Sequence, residues 1–395
     1  MNDSRSQLAG LIEAAHRIGE RAASEAEAAD RNRRLSDELV TDLAHAGLIG
    51  MLQPRRWGGL EVSFPDFVRV SQVLARYDVA ASWVQVLLGC HHWWGALVGE
   101  ELQHELWGDN PHRLFADVFA PMGELRHTSE GLHLSGRWMF ASGVHWSDFV
   151  ALGANGPLTP GGEPEYLMLF VPKADFRVVE DWDTVGLRGT GSCSVEVKDA
   201  IIAPHRVVRM GQMMATGTAP GQALNPGPIH QVPFAAGLSI ALAPTNVGGA
   251  QGMLAAFGER MRSRTPLFSA QRQDALVTSQ VLLAESAVRV DAMEQLMYRY
   301  ADALQAYGNG GREMDTLDLR LRSFAWRAWL GREARDIVTQ LFTHTGATAI
   351  YGGNALQRRW RDLHAMAQHV VLNHETASRN FGRYLAGQDP EPGLY

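Results

Sequence analysis

One short stretch, residues 136–149, places two large rings and a hydroxyl at alternate positions: Trp138, Phe140 and Ser142. Successive side chains of an extended strand point to opposite faces, so these three are expected on one face. That surface would suit a flat aromatic ligand with one polar edge. A barrel strand with aromatic core residues would show the same pattern, and both interpretations stay open on these residues alone.

Histidine is the next residue type that could do chemistry, and the sequence has 15 of them. A metal site would need two or three histidines on one face, supported by carboxylates. His364 and His369 are five residues apart, which does not align them on a helix. The two cysteines, Cys90 and Cys193, lie far apart in the chain, so neither a disulfide framework nor a cysteine-based metal site is expected.

The glycine-rich segment 186–192, GLRGTGS, resembles a dinucleotide fingerprint only superficially. That fingerprint must open a helix, whereas the residues that follow here alternate like a strand. We therefore expect a turn between two strands, with or without a ligand role. No other Rossmann or P-loop motif occurs in the sequence, so the chain is not expected to bind NAD(P)H itself.

Two arginines near the end of a predicted helix offer another kind of site. Arg262 and Arg264 could clamp a phosphate, because a guanidinium group matches phosphate bidentately. A solvated helix end would contain the same residues, and the sequence does not choose between these interpretations.

The elements that must position these residues fall into three regions, 1–112, 113–215 and 216–395. In the first, apolar residues recur at helical spacing, and the aromatic-rich run from Trp83 to Val98 predicts a buried helix. The second consists of short β-rich runs broken by Gly, Pro and Asp. The third predicts a bundle of four long helices, near 234–263, 270–307, 312–346 and 355–386.

Composition argues against two classes of partner. The formal net charge of −7 opposes nucleic acid as the main partner, because phosphate binding needs a basic face. No uninterrupted run approaches the roughly 18 apolar residues of a membrane span, and the N-terminus lacks the apolar core of a signal peptide. We expect a cytoplasmic protein without a membrane segment.

Motifs across the chain add a resemblance to a known family. The order helices, β unit, helices, together with WDTVGLRGTGSCSVEVKDAIIAPHRVV at 182–208, resembles the acyl-CoA dehydrogenase superfamily. The resemblance implies an α+β fold with an N-terminal α-helical domain, a central β-barrel or sandwich and a C-terminal four-helix bundle.

Two further segments, GRWMFASG at 136–143 and RDLHAMAQH at 361–369, are similar to the flavin-dependent monooxygenase branch of that superfamily. The branch includes oxygenase components of two-component hydroxylases acting on 4-hydroxyphenylacetate or steroid-derived phenols. The resemblance implies an aromatic hydroxylase that uses reduced flavin and O₂ through a C4a-hydroperoxyflavin. Reduced FMN is the expected cofactor, with FADH2 as the alternative and no metal. It further implies a separate NAD(P)H:flavin reductase, a small aromatic substrate and a homotetramer.

The same resemblance assigns roles to individual residues. The catalytic residues would be His369 on the last bundle helix, which takes or shares a phenol proton, Ser142 near flavin N5, and His91 in the substrate pocket. The residues implied to bind the cofactor are Trp138, Phe140, Ser142, Gly189, Thr190, Ser192 and Arg264. Those implied to bind the substrate are His91, His92, Trp94 and Trp146.

Three alternatives stay open. Many acyl-CoA dehydrogenases carry a catalytic glutamate in a Tyr-Glu-Gly-Thr segment, where this chain has His369 and Val370, which disfavours dehydrogenation. A monooxygenase of this fold could instead oxygenate nitrogen or sulfur. A flavin-free binding or assembly protein would have no affinity for reduced flavin.

Overall fold

The structure is a computed structural model that describes residues 2–391. Helices form the N-terminal part of the protein. The α-helices of this part are α1 (Asn2–Asn32), α2 (Asp37–His45), α3 (Phe64–Tyr77), α4 (Val79–Gly95) and α5 (Glu100–Trp107). Ser36, Ser63 and Asp78 each accept a backbone N–H in the first turn of α2, α3 and α4, which defines where these helices begin. Nearly every residue of α4 is buried, which confirms the prediction for the aromatic-rich run.

A seven-stranded sheet forms the middle of the described chain. Its strands are β1 (Phe115–Thr128), β2 (Gly131–Trp138), β3 (Phe149–Pro157), β4 (Pro164–Pro172), β5 (Phe176–Val179), β6 (Ser194–Ile202) and β7 (Val207–Val208), in the order β5-β6-β2-β1-β3-β4-β7. β1 and β3 run parallel, and the other neighbouring pairs are antiparallel. The register of β1 against β3 shifts between Val118 and Gly123. Strands from both halves of the sheet contribute side chains to one apolar core. The expected β unit is thus an open sheet folded about its own core, which resembles a sandwich more than a closed barrel.

The C-terminal part begins with three short helices, α6 (Met210–Thr216), α7 (Pro220–Leu224) and α8 (Phe234–Ser239). Long helices follow as α9 (Leu242–Ser263), α10 (Val277–Gly308) and α11 (Thr316–Thr343), and the chain ends in α12 (Ala355–Met366) and α13 (His374–Leu385). The predicted fourth segment, 355–386, is therefore two helices rather than one. Side-chain caps interrupt it, because His369 accepts the Val371 N–H and Asn373 accepts the Thr376 N–H.

The N-terminal helices pack directly on the bundle, chiefly through α3 against α9. Gly248 of α9 permits this contact, since a Cβ there would overlap the backbone of Gln72 on α3. α4 contacts β1 on one side and α9 and α12 on the other, so it lies between the sheet and the bundle. Among residues 2–391, every helix lacks the combination of length and apolar character that a membrane span needs.

Candidate active site

The segment from Trp138 to Ser142 does not continue as a strand, so the prediction of a shared face is wrong. β2 ends at Trp138, and a bond from the Ser142 N–H to the Phe140 carbonyl closes a tight turn with Phe140 at φ 69°. Trp138 turns into the sheet core and donates its Nε1–H to the Gly153 carbonyl at 2.9 Å, so it does not line a cleft. Phe140 instead turns outward, with 65% of its surface exposed. A left-handed aromatic residue is strained, and such strain concentrates at functional sites.

A chain of hydroxyl groups runs from this turn to the glycine-rich turn. Ser142 Oγ lies 2.7 Å from Ser192 Oγ, which lies 2.8 Å from Thr190 Oγ1. Thr190 donates to the Leu187 carbonyl at 2.8 Å, and Trp83 of α4 donates its Nε1–H to Ser142 Oγ at 3.0 Å. All four of these side chains are buried. We call this set the hydroxyl chain; it brings together three residues selected from the sequence, Ser142, Thr190 and Ser192.

The direction of donation along the hydroxyl chain follows from its two ends. A carbonyl oxygen only accepts, so Thr190 gives its proton to Leu187 and must accept one from Ser192. Ser192 in turn accepts from Ser142. An indole N–H only donates, so Ser142 accepts from Trp83 at the other end. Ser142 is left with one free lone pair and no free proton, which makes it an acceptor for a ligand N–H.

His369 reaches the same place from the bundle, at the break between α12 and α13. Its ring packs edge-on against Trp83, with ring centroids 5.6 Å apart. Nδ1 accepts the Val371 N–H at 3.4 Å, which in a neutral ring places the proton on Nε2. Burial lowers the pKa of His369 to about 4, a shift that Asp117 opposes and Arg327 increases. His369 is therefore neutral at ordinary pH and offers Nε2–H as a donor.

A second polar group is centred on Asp117 of β1, close enough to His369 to act on its pKa. Trp94 donates its Nε1–H to Asp117 Oδ2 at 2.8 Å, and His91 Nε2 lies 3.3 Å from the same oxygen. His91 Nδ1 is 2.7 Å from the Phe115 carbonyl, so Nδ1 carries a proton. The aromatic rings in contact with Trp94 are those of Phe115, Phe119, Phe170 and Phe234.

A buried carboxylate of α12 holds the glycine-rich turn in place. Asp362 Oδ1 accepts the Leu187 N–H at 2.6 Å, and Leu187 itself has φ 54°. Burial raises the pKa of Asp362 to about 7, and the Asp78 carboxylate adds to the rise. Gly186 has no room for a side chain, since a Cβ would overlap the Arg361 carbonyl of α12. The bundle therefore positions the turn that ends the hydroxyl chain.

Gly189 and His92, both selected from the sequence, make packing contacts outside the hydroxyl chain and the Asp117 group. Gly189 is packed between α1 and α4, where an added Cβ would lie 3.1 Å from the Ala80 Cβ, so its small size serves packing. His92 turns toward α5, where its ring contacts Trp107 and its Nε2 lies 3.2 Å from the Arg113 carbonyl. The neighbouring His91 points elsewhere because consecutive residues of a helix are about 100° apart.

Trp146 and Arg264 lie at the periphery of the molecule relative to the hydroxyl chain. Trp146 donates its Nε1–H to Asp37 of α2 at 2.9 Å. Arg264 donates to the Gln273 side chain at 2.8 Å and to the His344 carbonyl at 3.3 Å, at the end of the bundle. Within residues 2–391, neither residue makes a hydrogen bond or a ring contact with another selected residue.

Sequence reasoning alone does not select Trp83, Asp117 or Asp362. Trp83 lies in the helix predicted to be buried, and a buried indole needs a partner for its N–H. Asp117 is the one carboxylate in the apolar first half of β1, FADVFAP at 115–121, a placement that requires a partner. These two signals could have been found. Asp362 gives no local signal, because its partner Leu187 is 175 residues away.

Comparison with known proteins gives two matching family models. Residues 9–107 match the acyl-CoA dehydrogenase N-terminal domain, and residues 240–374 match the acyl-CoA dehydrogenase C-terminal domain. In the chain, the first match precedes the sheet and covers the helices α1 to α5 from residue 9, and the second follows the sheet and covers α9 to α12.

Individual relatives are similar over almost the whole chain. The flavin-dependent monooxygenase oxygenase subunit HsaA of Mycobacterium tuberculosis is 31% identical over 395 residues, covering 98% of this chain and 97% of HsaA. A crystal structure of that enzyme superposes with a TM-score of 0.90, 28% identity and coverage of 98% and 100%. The FADH(2)-dependent resorcinol hydroxylase oxygenase component of Rhizobium sp. is 28% identical, covering 93% of this chain and 92% of the relative. XiaF from Streptomyces sp., solved with FADH2 and glycerol, gives a TM-score of 0.91, 27% identity and coverage of 99% and 98%.

The residues of the site fit a reduced flavin. A reduced flavin is a flat ring system whose N5 carries an N–H, and the hydroxyl chain leaves Ser142 as an acceptor for one such donor. Phe140 and Met139 provide an exposed apolar surface next to that hydroxyl, at 65% and 55% exposure. A hydrogen-bond acceptor at one edge of an apolar surface matches a flat ring that has an N–H donor at its own edge.

Proposed function

Because the chain belongs to the flavin-dependent monooxygenases of the acyl-CoA dehydrogenase family, we propose that it is the oxygenase component of a two-component aromatic hydroxylase. The observation that carries this proposal is the direction of the hydroxyl chain, which leaves Ser142 as a buried acceptor. Reduced flavin, when bound, supplies the activation of O₂. The residues of the chain hold a proton, exclude water and place the phenol.

Ser142 holds the proton in this proposal, by accepting the N5–H of the reduced flavin. A proton held by a hydrogen bond in a dry site is lost less readily. Ser142 cannot turn away without breaking its bonds to Trp83 and Ser192. Retention of this proton favours oxygen transfer over release of H₂O₂.

His369 acts on the phenol oxygen in this proposal, through its Nε2–H. Donation to that oxygen stabilises the phenolate form, whose ortho carbon is electron-rich and accepts an electrophilic oxygen. The sequence expectation was that His369 takes or shares the phenol proton. Sharing is the role that fits here, because Nδ1 is engaged by Val371 and the neutral ring already carries its proton on Nε2.

The Asp117 group provides a second set of polar side chains for the substrate in this proposal. His91 and Trp94 both contact this carboxylate, which is mostly buried at 12% exposure. Phe119 and Phe234, which are partly exposed and in ring contact with each other, add a flat apolar wall. We therefore propose a planar phenol, held by its ring between aromatic walls and by polar groups at its ends.

Electrons come from a separate NAD(P)H:flavin reductase in this proposal, since the relatives are named as an oxygenase subunit and an oxygenase component. O₂ is the co-substrate. The sequence-based preference for FMN stays a prediction, and the names of two relatives specify FADH2. Dependence on a cellular NAD(P)H pool is the reason to propose the cytoplasm as the compartment.

We propose that the chain assembles as a homotetramer through α10. Val277, Val281 and Val288 are 71%, 49% and 68% exposed. Their spacing places them on one side of the helix. Phe268, just before α10, is fully exposed as well. A second copy of the chain is the occupant we assign to this face, and the number four comes from the family resemblance.

The test supplies FMNH2 or FADH2 and O₂ to the protein with a panel of phenols, then measures hydroxylated product and H₂O₂. We expect product with at least one phenol and little H₂O₂. Ser142→Ala should raise the ratio of H₂O₂ to product by about five- to ten-fold, the equivalent of one hydrogen bond. Ser147→Ala is the matched control, because Ser147 is also buried but bonds the Gly143 carbonyl at 2.9 Å, outside the hydroxyl chain.

Other results would assign the competing functions. H₂O₂ alone with every phenol would reject aromatic hydroxylation. Oxygenation of an amine nitrogen or a thiophene sulfur, with phenols untouched, would assign a heteroatom oxygenase. Bleaching of tightly bound FAD by an acyl-CoA would assign a dehydrogenase, and absence of any flavin affinity would assign a binding protein.

A further inference from the structure

Three side chains with metal-ligand chemistry come together beside the two turns of the hydroxyl chain. His145 follows the Ser142 turn, Glu180 follows β5, and Cys193 precedes β6. Their ligand atoms all lie within 4.8 Å of one another. Cys193 Sγ is 3.7 Å from Glu180 Oε2, and His145 Nδ1 is 3.7 Å from Glu180 Oε1. Sequence separation hides this cluster, which only the folded chain assembles.

The imidazole of His145 is buried without a hydrogen bond to any residue the structure describes. Its side chain is 6% exposed, Nε2 has no partner, and Nδ1 has only the distant Glu180 oxygen. Nδ1 thus faces the Glu180 carboxylate from beyond hydrogen-bond distance, so the space between the two groups can hold an ion that both would bind. Gly191 leaves the space for this ring, since a Cβ there would lie 2.9 Å from His145 Cδ2.

We propose that His145, Glu180 and Cys193 bind one Zn²⁺ ion. Ligands 2.0–2.3 Å from a tetrahedral zinc ion are about 3.3–3.8 Å from one another, and the two 3.7 Å separations that involve Glu180 fall in this range. Imidazole and thiolate select zinc over magnesium or calcium, which prefer oxygen ligands alone. Glu180 is 68% exposed, so a water molecule can take the fourth position.

The charges of the cluster suit a divalent cation. Cys193 loses its thiol proton to solvent when the ion binds, and the resulting thiolate and the Glu180 carboxylate together balance the two positive charges. Arg34 and Lys173 lie near enough to act on His145 and oppose the ion, whereas Asp37 favours it.

The proposed ion ties together the segments that carry the hydroxyl chain. His145 lies three residues after Ser142, and Cys193 directly follows Ser192. A tetrahedral site would thus hold both turns at a fixed separation. The proposal is independent of the reaction, and it replaces the sequence-based expectation of no metal site.

The experiment titrates Zn²⁺ into the full-length, chelator-treated protein by calorimetry. We expect one ion per chain with a Kd below about 10 μM, and a higher Tm in its presence. His145→Ala, Cys193→Ser and Glu180→Gln should each weaken binding by at least about ten-fold. Glu180→Gln alters an exposed side chain, so it tests the site even where the buried variants fail to fold.

Cobalt provides a second readout that identifies the thiolate ligand. The Co²⁺ complex should show a thiolate-to-metal charge-transfer band in the wild type and in Cys90→Ser, the control at the other cysteine, which is buried on α4. The band should be absent in Cys193→Ser. Persistence of the band in Cys193→Ser, or zinc affinity equal in wild type and Glu180→Gln, would overturn the proposal.

Discussion

Trp83 connects the two halves of the candidate site, through its N–H to Ser142 and through its ring to His369. Its indole therefore orients Ser142, the proposed acceptor for the flavin, and supports His369, the proposed donor to the phenol. The side chain is 4% exposed, so water cannot replace either contact. At the residue scale, this makes Trp83 a positioning residue in the proposed hydroxylase.

Trp83→Phe should uncouple the reaction while keeping the ring contact with His369. Loss of the N–H leaves Ser142 free to rotate, so we expect H₂O₂ to rise several-fold relative to product, with about 1 kcal/mol less free energy of unfolding. Trp93→Phe is the matched control, because Trp93 lies on the same helix and donates to the Ile229 carbonyl at 2.7 Å, outside the site. Equal uncoupling in both variants would contradict the assigned role.

His369 should make folding stability depend on pH in a defined window. Its pKa is about 6.5 in an unfolded chain, and burial lowers it to about 4 in the folded protein. Between these values the unfolded chain binds a proton that the folded protein does not bind. The contribution to stability is therefore complete above about pH 6.5 and is lost as the pH falls toward about 4.

Comparison with His369→Asn isolates this contribution from that of other histidines. Urea unfolding at several pH values should show the wild type losing free energy of unfolding relative to the variant as pH falls from about 7.5 to about 5. A difference between the two proteins that stays constant over this range would contradict the neutral state of the partly buried His369.

At the scale of elements, the turn at residues 186–192 joins the sheet, the bundle and the hydroxyl chain. It lies between β5 and β6, as the sequence predicted. Asp362 of α12 holds its Leu187 N–H, and Thr190 donates back to the carbonyl of Leu187. The turn thus has its shape set by a helix that is remote in sequence.

Gly186→Ala should displace this turn from α12. The added Cβ would overlap the Arg361 carbonyl, so we expect a loss of about 1–3 kcal/mol in the free energy of unfolding, together with more H₂O₂. Gly211→Ala is the control, since the nearest atom to its Cβ would be 3.6 Å away. Unfolding measurements in urea and the ratio of H₂O₂ to product give the two readouts. Unchanged values in Gly186→Ala would show that α12 can move away from the added methyl group without loss of stability, and would contradict the prediction.

At the scale of the whole molecule, an assembly of several copies of the chain would bury the exposed valines of α10. The sheet and the N-terminal helices complete the α+β fold, and HsaA shares it along the full chain. The domain limits 1–112, 113–215 and 216–395 stay a proposal, as does the homotetramer. A stable interface buries on the order of 800 Å² per partner, which an extended helix face can supply.

Charges placed on the α10 face should dissociate the assembly. The double variant Val281→Asp, Val288→Asp is expected to lower the mass measured by light scattering after gel filtration from that of a tetramer to that of a dimer or monomer. Leu385→Asp is the control, because Leu385 is an equally exposed apolar residue, at 63%, on α13. A monomeric wild type, or a tetramer that survives the double charge, would contradict the proposed interface.

The sequence by itself determined the order of elements, the buried helix α4, the glycine-rich turn and the choice of Ser142, Thr190, Ser192 and His369. The elements and the turn follow from local periodicity and turn residues, whereas the choice of these four side chains follows from the family resemblance of the motifs that contain them. Tertiary structure decided which selected residues meet. It placed Trp138 in the sheet core, because the strand ends there, and it broke the last predicted helix at His369, because side chains cap it.

Tertiary structure also supplied the partners that give these residues their chemistry. Ser142 accepts the N–H of Trp83, which sets the direction of donation along the hydroxyl chain. Asp362 accepts the Leu187 N–H and so holds the glycine-rich turn, and Glu180 completes the proposed zinc site. Each of these contacts joins segments that are remote in the chain. Hydrogen bonds between remote segments leave no periodicity in the sequence, so only the packing of α4, the sheet and the bundle reveals them.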